Sequence, residues 1–182
     1  MLKNIVIVLG FIALVLFITY GVGQNKHTNG KSKWLPCHNE VVVFEKVYKP
    51  KLLEEARTAL EQQNYVIDSQ IQKAHYMKSE LFEYVKIKNV DQYLKETISD
   101  YQSQVKKETK QIKLKYMIYE NDINDPGKKT QKSKKYAGYL KFEVIYKSKK
   151  VYAIQIDFMD KQGKDIPERI TCAMKSLMTI AL

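Results

Sequence analysis

Arginine is nearly missing from this chain: of 31 basic side chains only Arg57 and Arg169 are arginines, and the rest are lysines. A planar guanidinium fork is what reads base edges and grips phosphate through paired hydrogen bonds. A composition this poor in it does not serve sequence-specific nucleic-acid recognition. Glycine is scarce too, at seven residues, and none builds a glycine-rich phosphate loop, which removes the common nucleotide-binding devices. The histidines His27, His38 and His75 and the cysteines Cys37 and Cys172 are too few and too scattered for recognisable metal spacing. Cys37 and His38 are neighbours, but adjacent side chains point different ways. A structural zinc site wants four ligands, and a cysteine nucleophile wants a histidine base held by a third group. The carboxylates Glu54, Glu55, Glu80 and Glu83 read as solvated faces of their elements, with no pair set apart for acid–base work. No catalytic residue, cofactor or metal is therefore expected, and a hydrolase assembled from scattered residues is the enzymatic alternative.

Against these absences stands one long apolar run. Residues 5–22 carry no charge. A membrane-spanning helix needs about 20 apolar residues, whereas a signal-peptide core has about 7 to 15. The run is therefore expected to be a retained transmembrane helix over residues 1–23, followed by a polar tether over 24–36 with a turn at Asn29-Gly30. A cleaved signal is the rival, with Gly21 and Gly23 as the small residues before the cut. Lys3 and the α-amine lie on one side of the span, and Lys26, Lys31 and Lys33 on the other. Counted literally, that distribution keeps the domain in the cytoplasm. A short tail with one lysine before an apolar run is also how an export signal begins, and whole domains translocate with little regard to charge. We take the exported orientation, a cell-membrane protein with its C-terminal domain outside the cytoplasm.

Residues 37–182 have the size of one ordinary domain with a real hydrophobic core. The formal charge of +11 is local. Lys3, the three tether lysines, and Lys128, Lys129, Lys132, Lys134 and Lys135 account for nearly all of it, leaving a balanced body. Such a lysine cluster suits anionic lipid, at about 1 kcal/mol per lysine near a membrane surface. It reads equally as a solvated loop.

Hydropathy periodicity gives the elements. Valines 41–43 and Phe44 predict a strand over residues 39–47, and Pro50 with Leu53, Ala56 and Leu60 a helix over 49–63. Residues 65–72 alternate as a strand. Residues 80–88 alternate as well, although Ala74, Met77, Leu81 and Val85 also fit a helix. Asn89 and Gln92 suggest a capped start to a helix running to about Lys110 along Val90, Leu94, Ile98, Tyr101 and Val105. Three consecutive strands follow, carried by Ile112, Leu114, Tyr116 and Ile118, by Leu140, Phe142, Val144 and Tyr146, and by Tyr152, Ile154, Ile156 and Phe158, with a tight turn at 147–150 between the last two. Asp165, Pro167 and Glu168 open a final helix that runs to the last residue.

The expected fold class is α+β: an N-terminal transmembrane helix, then an antiparallel sheet with helices packed on one face. The order of elements resembles that of cystatin-like or nuclear-transport-factor-like domains, some of which are envelope subunits, without a motif behind the likeness. In an oxidising compartment Cys37 and Cys172 could pair, closing a loop of about 135 residues; otherwise they are two small apolar side chains that never meet. The chain has 13 tyrosines, and Tyr119 and Tyr139, if outward, would join the 128–135 lysines as a docking face, with ordinary sheet packing as the plainer reading. The function expected is a membrane-anchored, non-enzymatic envelope protein that binds a protein partner, as an assembly subunit or as an inhibitor or immunity factor. The alternative is a cytoplasm-facing protein gripping anionic lipid or nucleic acid through its lysines.

Overall fold

The computed structural model describes residues 35–128 and 130–182. A 3-10 turn (Pro36–Asn39) leads into strand β1 (Val43–Val47). Helix α1 (Pro50–Glu61), β2 (Tyr65–Gln72), the one-turn helix α2 (Leu81–Tyr84) and α3 (Ile87–Ser99) follow, then β3 (Ile112–Glu120), β4 (Gly138–Tyr146), β5 (Lys149–Phe158) and α4 (Ile166–Thr179). The five strands form one sheet in the order β1-β5-β4-β3-β2. Helices and sheet make an α+β fold.

The alternation in β3 and β4 sets the layering. Ile112, Leu114, Tyr116 and Ile118 are buried, as are Leu140, Phe142 and Val144, while their neighbours in sequence are half-buried or exposed. In register Leu114 faces Val144, Tyr116 faces Phe142 and Ile118 faces Leu140, so one face of the sheet is continuous and apolar. Onto it pack α1 through Leu53, Ala56 and Leu60, α3 through Val90, Leu94 and Ile98, and α4 through Ile170, Ala173, Met174 and Leu177. Burying such side chains contributes roughly 1.5–3 kcal/mol each. In β5 the adjacent Val151 and Tyr152 are both buried because a bulge at Val144/Ile145 shifts the register there.

The sheet is mixed, which corrects the expected all-antiparallel one. β2 runs parallel to β3, with Tyr65 beside Ile112 and Ile71 beside Ile118. Parallel neighbours need a crossover of a dozen or more residues, and residues 73–111, with α2 and α3, supply it. That crossover also corrects the two elements expected within it. Residues 80–88 are no strand: Leu81 and Val85, four apart, are both buried, and the chain turns helically there before α3 begins at Ile87. α3 ends at Ser99, well short of residue 110, and Val105 is 65% exposed. Instead the irregular segment of residues 100–111 is stitched to the end of α1. The Gln62 side chain donates to Val105 O at 2.9 Å and accepts from Lys107 N at 3.0 Å, and Asn64 Nδ2 donates to Thr109 O at 2.8 Å. The chain must leave the helix here to bring β3 alongside β2.

The capping boxes expected at Asn89 and Asp165 do not form. α3 starts at Ile87 without a side-chain cap. The Asp165 carboxylate instead accepts from the amides of Met159 at 2.8 Å and Asp160 at 3.2 Å, tying the loop after β5. α4 stops at Thr179 rather than at the last residue, and its carbonyl end is capped from outside. Arg57 donates from Nε to Leu177 O at 2.7 Å and from Nη2 to Ile180 O at 2.6 Å, placing a cation at the negative end of the helix dipole. Among the described residues no helix is long and apolar enough to cross a membrane. The helix expected over residues 1–23, the tether as far as Trp34, and Lys129 lie outside the described residues.

Candidate functional site

The face of the sheet away from the helices carries a row of side chains in register. Tyr119 on β3 lies beside Tyr139 on β4, and Tyr139 beside Asp157 on β5. The two tyrosine rings stack with centroids 4.4 Å apart and planes 17° from parallel. Beyond Asp157 the row reaches the chain entering β1, where Asp157 N donates to Val42 O at 3.1 Å.

The loop between β3 and β4 folds over this row, and Asn121 is what holds it. Asn121 is 1% exposed. Its Nδ2 donates to Ser133 O at 3.1 Å and Tyr136 O at 2.7 Å, and its side-chain oxygen accepts from Lys128 Nζ. Lys128 Nζ also donates to the Tyr119 hydroxyl at 3.3 Å and sits over the rings of Tyr119 and Tyr136. Of the lysines expected to dock a partner, Lys128 is therefore spent inside the loop, while Lys132, Lys134 and Lys135 are exposed. The structure thus brings Lys128, Tyr119 and Tyr139 together.

Between this loop and the edge of the sheet lies a cavity of about 550 Å³ lined by Val41, Val42, Phe44, Tyr136, Met159 and Asp157, with Lys132 and Lys135 also contributing to its lining. Phe44 is 64% exposed, Met159 46% and Val42 38%. Asp157 is buried, and its Oδ1 has no hydrogen-bond partner among the described residues. Burial pushes this carboxyl up to about 6, against the side-chain hydrogen bond from Gln155. Burial, and then the field of Asp157, also raises the Tyr136 hydroxyl. Neither Asp157 nor Phe44 stands out in the sequence. Phe44 sits in a run read as a strand, and only the strand's position at the sheet edge exposes it.

A second assembly lies on the helix side, beneath β1. The Sγ atoms of Cys37 and Cys172 are joined in a disulfide, with Cα atoms 6.1 Å apart. The 3-10 turn of Pro36–Asn39 carries Cys37 and His38 toward α4 together, which separate directions for adjacent side chains would not do. Cys37, His38 and Cys172 each offer a ligand atom, all within 4.8 Å of one another. Close by, Glu45 points from β1 onto the core face, where its Oε1 accepts from the Tyr152 hydroxyl and from Ser176 Oγ at 2.5 Å. Burial lowers the His38 imidazole from its ordinary range, opposed by the negative field of Glu45. Ser176 and Tyr152 are buried and do not line the cavity described above, so the pair ties α4 to the sheet.

A third anchor fixes the crossover. Glu120 accepts from the amides of Ala74 at 3.1 Å and of Glu80 and Leu81 at 2.9 Å, and Asp122 from His75 at 2.6 Å and Tyr76 at 2.5 Å. Burial opposes ionisation of Glu120, but the hydrogen bonds from Ser79 and these amides hold its carboxyl below the usual range.

No protein-family model, curated protein or solved structure matches this chain.

Proposed function

We propose that this is a membrane-anchored, non-enzymatic envelope protein whose α+β domain binds a protein partner at the β1 edge, as a subunit of a membrane assembly or as an inhibitor or immunity factor. The observation that carries the reading is the clustering of Val42, Phe44 and Met159, three of the exposed large apolar side chains, around one cavity with Lys132 and Lys135 beside it. A contiguous apolar patch rimmed by charge marks a contact surface more often than a scattered set does. β1 adds to this. Among the described residues it pairs with β5 alone, so its other edge offers backbone donors and acceptors to an incoming segment. The apolar run of residues 5–22 supplies the anchor, and confinement beside a bilayer raises effective concentration, so a modest interface suffices.

The lipid-binding alternative draws less support. Lys128 is engaged by Asn121 and Tyr119, which leaves fewer lysines of that loop for a headgroup surface.

The test is site-specific photocrosslinking in native membranes from Phe44 and Met159, with Tyr84, 56% exposed on the crossover, as control. A discrete adduct from the first two positions and none from Tyr84 is expected, insensitive to moderate salt. Identical patterns from all three would remove the β1 edge as the docking site, and a lipid adduct that fades with salt would favour the alternative.

A further inference from the structure

We propose that Cys37, His38 and Cys172, once their disulfide is reduced, form a zinc(II) site that closes the same loop the disulfide closes. The inference is independent of the docking face. Two thiolates and an imidazole are a recognised zinc donor set, with a fourth position left to water. Tetrahedral zinc holds two sulfurs about 3.7 Å apart, given Zn–S bonds of about 2.3 Å. The ligand atoms here already lie within 4.8 Å of one another; the two sulfurs, about 2 Å apart while bonded, part by about 1.7 Å on reduction and metal binding, a movement within the reach of side-chain rotation.

Charge and surroundings agree with the geometry. Cys172 and His38 are 3% and 2% exposed, a setting in which an uncompensated ion is costly. Two thiolates neutralise zinc(II), whereas bare thiolates would be left with unbalanced charge. Cys37 is only partly buried, which leaves one sulfur open to attack. A dithiol reductant supplies two electrons and two protons, the Cys37–Cys172 bond breaks, and the reductant closes to its own disulfide. Zinc then displaces two protons from the thiols.

The experiment uses the full chain in detergent, reduced with a phosphine that does not bind zinc and titrated with zinc against a chromogenic chelator. Thermal unfolding is followed in parallel, and cobalt(II) serves as a spectroscopic stand-in. We expect one zinc per chain, recovery of the stability lost on reduction, thiolate-to-cobalt charge-transfer absorption, and no binding by the oxidised protein. His38→Gln, checked for fold by circular dichroism, should weaken zinc at least 10-fold and change the cobalt spectrum. Zinc binding no tighter than in the Cys37→Ser, Cys172→Ser double variant would overturn the proposal. So would a reduced protein that unfolds irrespective of zinc, or a folded His38→Gln variant with unchanged affinity and spectrum.

Discussion

At the scale of single residues, Asp157 shows how position overrides type. Aspartate normally titrates near 3.9, yet burial beside Tyr139 lifts this one to about 6. Between those values the folded chain binds more protons than the unfolded chain, so the contribution of Asp157 to stability falls as pH rises and is lowest above about 6. Replacing it by asparagine is expected to stabilise the protein at pH 7 by roughly 1–2 kcal/mol, allowing for water that reaches the cavity. The gain should shrink toward zero near pH 4. Urea denaturation of both proteins across that range checks the sign, and a gain that grows toward acid would refute the burial argument. Nothing in the sequence marks this residue: Ile156, Asp157 and Phe158 read as a strand, and alternation alone sends Asp157 to the solvent side. The loop carrying Lys132 and Tyr136, held by Asn121, lines the same cavity together with the chain entering β1. Glu45 misleads in the opposite way, since a glutamate in a five-residue strand reads as exposed and here accepts two hydrogen bonds on the core face.

At the scale of elements, periodicity located what it could and was silent on direction. β3 and β4 alternate buried and half-exposed side chains along their whole length, and the residues read as their inner face are the ones the helices cover. Period two does not say whether a neighbour runs parallel or antiparallel, and that depends on the connection. Residues 73–111 combine a short helical turn, a helix and a stitched irregular segment, and the carboxylates that accept from the amides of this crossover belong to Glu120 and Asp122, more than 35 residues distant along the chain. No local pattern contains that information. The β4–β5 hairpin was legible as a turn, but its cost was not: Lys147 and Ser148 both adopt left-handed backbone, with φ of 49° and 59°. Such residues cost roughly 1–2 kcal/mol each unless glycine, asparagine or aspartate occupies them. Ser148→Gly, which keeps the ion pair of Lys147 with Glu55, is expected to raise stability by about 0.5–1 kcal/mol, read as a higher urea midpoint at constant slope.

At the scale of the whole molecule, one covalent link joins the turn before β1 to α4 across 135 residues. On the chain-entropy estimate it contributes up to about 5 kcal/mol, a large share of the stability of an ordinary domain. The Cys37→Ser, Cys172→Ser double variant is expected to lose several kcal/mol and to melt at the same temperature with and without reductant, whereas the parent chain should fall to that temperature only when reduced. Alkylation in native membranes adds a test of location, because a disulfide persists in an oxidising compartment and a thiol in the cytoplasm. The sequence by itself determined the α+β class, the strands of the central meander and the faces of its main helices, because these follow from side-chain period and apolar count, which are local properties. Tertiary structure alone decided the parallel pairing of β2 with β3, the exposure of Phe44, the burial of Asp157 and the meeting of Cys37, His38 and Cys172. Each depends on which segments become neighbours in space, and that is set by the closing of long loops rather than by any pattern a short stretch of chain can carry.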